Sequence, residues 1–153
     1  MINKPGTYVL LFRSARHQQV KIGKLGVLEL RPGYYLYVGS AFGPGGIKAR
    51  LAHHQQRTDR PHWHVDYLRQ VLAPVEYWYT HDPCHREHLW AGVMADLSGL
   101  ELAMQGFGAS DCHCACHLFY CNGRPSYRLF ATRLRCERPE PAPCKRVLLE
   151  NRG

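Results

Sequence analysis

Acidic residues are scarce in this chain, and long apolar runs are absent. Only 12 Asp and Glu stand against 20 Lys and Arg, so the formal net charge is +8 before any of the 10 histidines takes a proton. That imbalance disfavours an acid-rich protein surface that needs basic partners and favours an anionic partner. Nucleic acid comes first, because the basic residues are mostly arginines interleaved with aromatics. The longest apolar stretch near the start, Tyr8 to Phe12, is far too short for a signal-peptide core or a membrane span, so a cytoplasmic protein with no membrane association is expected. The composition is not that of a disordered chain either: 45% of residues are hydrophobic and 21% charged, and 153 residues suit one domain with one sizeable core. Neither an internal repeat nor a low-complexity tract occurs. The 7 cysteines are odd in number and gather around Cys112 to Cys121, which excludes a complete disulfide framework and leaves reduced thiols or a metal site.

What is present reads as strands first. Tyr8-Val9-Leu10-Leu11-Phe12 and Tyr34-Tyr35-Leu36-Tyr37-Val38 are aromatic and β-branched runs. Between them, Val20 to Gly23 and Gly26 to Leu30 alternate as exposed strands of a meander would. Phe42-Gly43-Pro44-Gly45-Gly46 breaks the chain before a helix over Ile47 to Gln56, which puts Arg50 and His54 on one face, one turn apart. His62 to Leu68 reads as a short helix with Trp63, Tyr67 and Leu68 on one side, and Pro74 to Thr80 as a strand. Asp82-Pro83 is a helix start, with Asp82 as N-cap, for a helix reaching about Leu97 whose apolar set is Leu89, Trp90, Val93, Met94 and Leu97. Leu102 to Met104 is strand-like. His117 to Tyr120 and Tyr127 to Phe130 are expected to pair around the Asn122-Gly123 turn. The domain is expected to span 1–131, with 132–153 a basic C-terminal tail in which Val147 to Leu149 could dock.

Two short tyrosine-glycine strings, Gly6-Thr7-Tyr8 and Tyr37-Val38-Gly39, are followed by the glycine-rich turn, then Arg50 and His54, then Glu87 within Arg86-Glu87-His88-Leu89-Trp90. In this order of motifs the chain resembles the GIY-YIG nuclease superfamily. Thr7 and Val38 stand where that pattern has isoleucine, and both are β-branched. The string from Gly106 to Cys114 with His117-Leu118-Phe119 is similar to a subfamily of GIY-YIG-like domains of unassigned role, sometimes joined to endonuclease III-type glycosylases. This resemblance covers about residues 4–131. It implies an α/β domain of the α+β type, with a central, mainly antiparallel sheet flanked by helices. The two strings lie further apart than the family's short hairpin allows, so an extra hairpin is expected between them, at Val20 to Leu30.

The resemblance also implies an activity, metal-dependent hydrolysis of DNA phosphodiesters. Tyr8 or His54 would activate water, Arg50 would hold the scissile phosphate, Tyr37 would orient water or phosphate, and Glu87 would bind Mg²⁺ or Mn²⁺. One carboxylate completed by water and phosphate oxygens is a sufficient site for such an ion. Gly39 would allow close backbone approach, and Lys48, His64 and Ser110 are assigned to the substrate. The family's usual asparagine has no clear match, with Ser110 or Asp111 as the substitute. Each of these residues also has a plainer reading. Strand tyrosines are commonly packing residues, helical glutamates commonly form surface ion pairs, and His53, His62, His64 and His88 are ordinary for exposed or packed imidazoles. Cys112, Cys114 and Cys116 alternate as on a strand and lack the spacing of a zinc knuckle, so structural zinc is not expected and buried thiols are, with Cys112, Cys114 and His117 bordering the cleft. The alternative function is a basic nucleic-acid-binding module on the same fold that does not cleave. The sequence sets neither DNA against RNA nor an oligomeric state.

Overall fold

The computed structural model describes residues 3–56, 59–109, 116–137 and 143–149. Its centre is the pair of tyrosine strands. β1 (Gly6–Ser14) lies antiparallel to β4 (Gly33–Ala41), with Tyr8 opposite Gly39 and Leu10 opposite Tyr37. The hairpin β2 (Gln18–Ile22) and β3 (Gly26–Leu30) is inserted between them. On the other side of β1 runs β5 (Pro74–Thr80); β7 (Leu118–Cys121) pairs with β4, β6 (Leu100–Leu102) with β7, and β8 (Lys145–Leu148) with β5. The order is β6-β7-β4-β1-β5-β8, and every pairing is antiparallel.

Among the described residues four helices cover this sheet from both sides, which explains why Tyr8 to Phe12 is an unbroken apolar run rather than an alternating one. Tyr8, Leu10 and Phe12 face one core, shared with Tyr35 and Tyr37, with Ile47 and Leu51 of α1 (Gly46–Gln55), and with Val65 and Leu68 of α2 (His64–Arg69). Val9 and Leu11 face the other, shared with Leu36, Val38 and Trp78, with Trp90 and Met94 of α3 (Glu87–Asp96), and with Phe130 and Leu134 of α4 (Tyr127–Glu137). The fold is α+β, and the extra hairpin stands where it was expected. That hairpin forms its own two-stranded sheet and is not an exposed meander: Val20, Ile22, Leu28 and Leu30 are buried against the first core.

Several expectations need correction. Asp82 does not cap a helix; its carboxylate accepts the Cys84 N–H at 2.9 Å and the Arg86 Nε–H at 3.2 Å, forming a turn that delays α3 to Glu87. The delay puts Glu87 in the first helical turn, where the positive end of the helix dipole favours a carboxylate. Tyr127 to Phe130 is not a strand. Ser126 Oγ accepts the Leu129 N–H at 3.1 Å and starts α4, which buries Phe130, Ala131 and Leu134 on one side. β7 pairs instead with β4 and β6, and the strand expected at 102–104 lies at Leu100–Leu102. Nor is the stretch from 132 onward simply a tail, since it carries the end of α4 and the edge strand β8. There the buried Glu76 carboxylate of β5 takes Arg146 of β8, Arg124 and the Trp78 indole N–H.

Among the described residues no helix is long and apolar enough to cross a membrane.

Candidate active site

The antiparallel register sets the first half of the site. Tyr8 and Gly39 are direct partners across β1 and β4, and a Cβ on Gly39 would sit 2.6 Å from the Tyr8 oxygen and 2.9 Å from the Tyr37 ring. Only glycine leaves room for both phenols, whose ring centroids are 6.3 Å apart. This is a different use of Gly39 from the backbone approach expected of it. On α1, the glycine turn ends with Gly46 at φ +60°, where a Cβ would strike the Lys4 carbonyl 2.3 Å away, so the chain enters the helix there only as glycine. The helix then turns Arg50 and His54 back toward β1. Tyr8 Oη and His54 Nε2 lie 2.7 Å apart, both buried. Arg50 donates from Nη1 to the Ser40 carbonyl at 3.0 Å and stacks its guanidinium 4.4 Å from the Trp63 ring centre.

From the other side of the sheet, the first turn of α3 delivers Glu87. Tyr37, Arg50 and Glu87 line one cleft of about 190 Å³, together with Ser40, Trp63, His88, Gly108 and His117. Tyr8 and His54 are not on its wall. They lie buried behind Tyr37 and Arg50. Glu87 Oε1 is 2.9 Å from His117 Nδ1.

Burial dominates the ionisation of this cluster. It pushes the Tyr8 phenol well above its usual range against the charge and hydrogen bonding of Arg50, and it raises Tyr37, with the neighbouring Tyr8 and Glu87 adding to the shift. It lowers His54 to about 3, helped by the positive charges of Arg69, His53 and Arg50. At neutral pH the pair is therefore a phenol against a neutral imidazole. Burial also works to raise Glu87, but hydrogen bonding and charge from His117, a hydrogen bond from Ser40 and the charge of His88 outweigh it and hold the carboxyl below its ordinary value.

Two residues assigned to substrate lie elsewhere. Lys48 is exposed on α1 and is not among the cleft residues. His64 accepts the Gly108 N–H at Nδ1, at 2.8 Å, and packs on Phe107, so it braces the loop that brings Gly108 to the cleft. Ser110, Asp111, Cys112 and Cys114 lie outside the described residues. Cys116 is buried, with its thiol donating to the Leu118 carbonyl at 2.7 Å, as a packed thiol would. Ser40, Trp63, His88 and Gly108 were not picked out for the cleft. Ser40 and His88 each adjoin a residue that was, but adjacency in a strand or helix turns side chains to different sides and gave no signal.

The fold and cleft define a small α+β domain with phenols, a guanidinium and a carboxylate converging beside a neutral imidazole. The chain belongs to the family described as domain of unknown function DUF123, whose model matches residues 7–135. No curated protein and no solved structure matches it.

Proposed function

We propose that this domain is a GIY-YIG-type endonuclease that hydrolyses phosphodiester bonds of DNA. The observation that carries the reading is the meeting of Tyr37, Arg50 and Glu87 on one cleft, with the Tyr8–His54 pair directly behind it. The three cleft side chains come from β4, α1 and α3, and packing alone does not require such residues to share a wall.

The donor set fits a hard divalent ion. Glu87 offers a partly exposed carboxylate at the edge of a cleft wide enough for waters and phosphate oxygens, which is the environment Mg²⁺ or Mn²⁺ takes. Bound there, such an ion would supply charge stabilisation to the phosphate and acidify a water. The protein's own groups do the rest. Arg50, fixed by the Ser40 carbonyl and by stacking on Trp63, presents the remaining guanidinium N–H groups to a phosphate. Tyr37 orients the attacking water from the cleft wall. The water's proton passes by way of the Tyr37 hydroxyl to the Tyr8–His54 pair behind it, Tyr8 handing its own proton to Nε2 as it accepts one, while the leaving oxygen departs from phosphorus on the opposite side and takes a proton from water in the cleft. The net positive charge of the chain supports a nucleic-acid partner.

One observation favours the second reading, a binding module that does not cleave. Glu87 is already paired with His117 and both phenols are held in the protonated form by burial, an arrangement that is self-sufficient without an ion. A single assay separates the two: labelled single-stranded, duplex, flapped and abasic DNAs, and RNA, incubated with and without Mg²⁺ or Mn²⁺, alongside Glu87→Gln. Cleavage that requires the ion and disappears in Glu87→Gln, with binding retained, supports the nuclease. Salt-sensitive binding to every backbone with no product supports the module.

A further inference from the structure

Behind the cleft, on the side of His54 turned away from Tyr8, three ligand-type side chains converge. One ligand atom each from His53, His54 and Asp66 falls within a sphere in which no pair is more than 4.8 Å apart. His53 and His54 end α1, and Asp66 sits in the first turn of α2. His54 and Asp66 are almost completely buried, at 2% and 1% exposure. The His53 Nε2, His54 Nδ1 and Asp66 Oδ1 atoms are all shielded from solvent, and none has a hydrogen-bond partner. Buried polar atoms without hydrogen bonds are costly, and three at one point, of which only Asp66 Oδ1 is also paired by charge, form an arrangement that a ligand would relieve.

The rest of Asp66 is fully engaged, which leaves Oδ1 as the atom available. Oδ2 accepts the N–H groups of His62 and Trp63, both at 2.9 Å, fixing the carboxylate's plane. Oδ1 lies 3.5 Å from His53 Nε2 and 3.3 Å from Arg69 Nη2. Arg69 is anchored independently, its Nη1 donating to the carbonyls of His53 and Gln56, and a carboxylate oxygen has lone pairs for both a guanidinium and an ion.

We propose that His53, His54 and Asp66 form a binding site for zinc, separate from the Glu87 cleft. Two imidazoles and a carboxylate are ligands zinc prefers, and with bonds of about 2.0–2.1 Å a tetrahedral site sets its ligand atoms roughly 3.3 Å apart. The His53–Asp66 pair is already at 3.5 Å. The His53 side chain, 42% exposed, has the freedom to close the remaining gap. An ion on His54 Nδ1 requires that Nε2 keep the hydrogen, which it then donates to the Tyr8 oxygen 2.7 Å away, so the Tyr8-to-Nε2 proton transfer of the proposed hydrolysis belongs to the zinc-free form. The site departs from the expectation of no structural zinc, which considered only the cysteine cluster.

The test uses the full chain, stripped of metal by a chelator and titrated with Co²⁺ followed by Zn²⁺ displacement. The expected result is one Co²⁺ per chain with visible bands of a tetrahedral nitrogen and oxygen site and no thiolate charge-transfer band. His53→Gln, at a partly exposed position that leaves the fold intact, should weaken binding by at least the ~10-fold that losing even a partner of a ligand costs. Asp66→Asn keeps an oxygen for the two backbone N–H groups but removes the charge, and should do the same. Glu87→Gln and the triple variant Cys112→Ser, Cys114→Ser, Cys116→Ser should leave the Co²⁺ spectrum unchanged. No Co²⁺ uptake, a thiolate band, or a spectrum abolished by Glu87→Gln and unaffected by His53→Gln would each overturn the proposal. None of these readouts depends on cleavage.

Discussion

Replacing Gly39 by alanine tests the geometry of the tyrosine pair with one methyl group. The added Cβ would lie 2.6 Å from both Cζ and Oη of Tyr8 and 2.9 Å from Cε2 of Tyr37. Carbon contacts settle near 3.5–4.0 Å, so the rings must retreat by about an ångström. Neither has slack. Tyr8 is fully buried and bonded to His54, and Tyr37 packs edge-on against Phe107 with centroids 6.1 Å apart. Overpacking of this kind costs about 1–3 kcal/mol, and breaking the buried Tyr8–His54 bond adds about 1–3 kcal/mol. Gly39 has no positive φ, so backbone strain contributes nothing to the sum. The expected loss is about 2–6 kcal/mol, read as a melting temperature lower by roughly 4–24 °C for a domain of this size. Because the obstruction is the Tyr8 ring and not only its hydroxyl, Tyr8→Phe should not rescue Gly39→Ala. Tyr8→Leu should, making the Gly39→Ala/Tyr8→Leu loss smaller than the two single losses added. Differential scanning calorimetry of the four variants decides it. A Gly39→Ala protein that melts with the parent, or strictly additive losses, would refute the account of why glycine stands opposite Tyr8.

Arg50→Ala should lower cleavage by orders of magnitude and Arg50→Lys should restore only part of it, because lysine can neither hold the Ser40 carbonyl nor stack on Trp63 while presenting a planar fork; full rescue by lysine would show that charge alone suffices. His54, lowered from 6.5 to about 3, is neutral when folded and takes a proton when unfolded below about pH 6.5. Its contribution to stability is therefore intact above that pH and is lost as pH falls toward 3, reaching about 2 kcal/mol lost by pH 5. In chelator, urea melts of the parent should weaken on going from pH 8 to pH 5 by that much more than those of His54→Gln, and parallel pH dependences would contradict the burial argument. Glu76→Gln should cost about 2 kcal/mol through hydrogen bonds to two solvated arginines, and should expose β8 to proteolysis ahead of the rest of the sheet; simultaneous cleavage throughout would mean that β8 does not depend on Glu76.

Much of the fold was legible because its signals are local. Aromatic and β-branched runs marked β1, β4 and β5, with Pro74 to Thr80 matching its strand at both ends, and the spacing of Trp90, Val93 and Met94 marked the buried side of α3. Where reading failed, a long-range partner outweighed a local preference. Asp82-Pro83 is a sound helix start, but Asp82 is taken by Arg86 and the Cys84 N–H. Tyr127 to Phe130 has strand-like residues, yet the edge of β7 they were expected to join is occupied by β4 and β6, and burying Phe130 and Leu134 against Trp78 and Trp90 selects the helix. β8 was read as tail because four residues with two charges carry no periodicity, and only the buried Glu76 on the neighbouring strand gives them a place.

By itself, the sequence determined the central strands β1, β4 and β5, the inserted hairpin, the excess of basic charge and the residue types available for chemistry, since composition and period are properties of the chain alone. Tertiary structure alone decided which of those residues share a wall. Register set Tyr8 against Gly39, the glycine turn rotated Arg50 toward β4, the delayed start of α3 carried Glu87 to the cleft, and β7 brought His117 against it. The same packing left Lys48 in solvent, gave His64 a bracing role and turned His53 and His54 toward Asp66. Convergence of this kind is a matter of distances between residues far apart in the chain, and no local pattern encodes those distances.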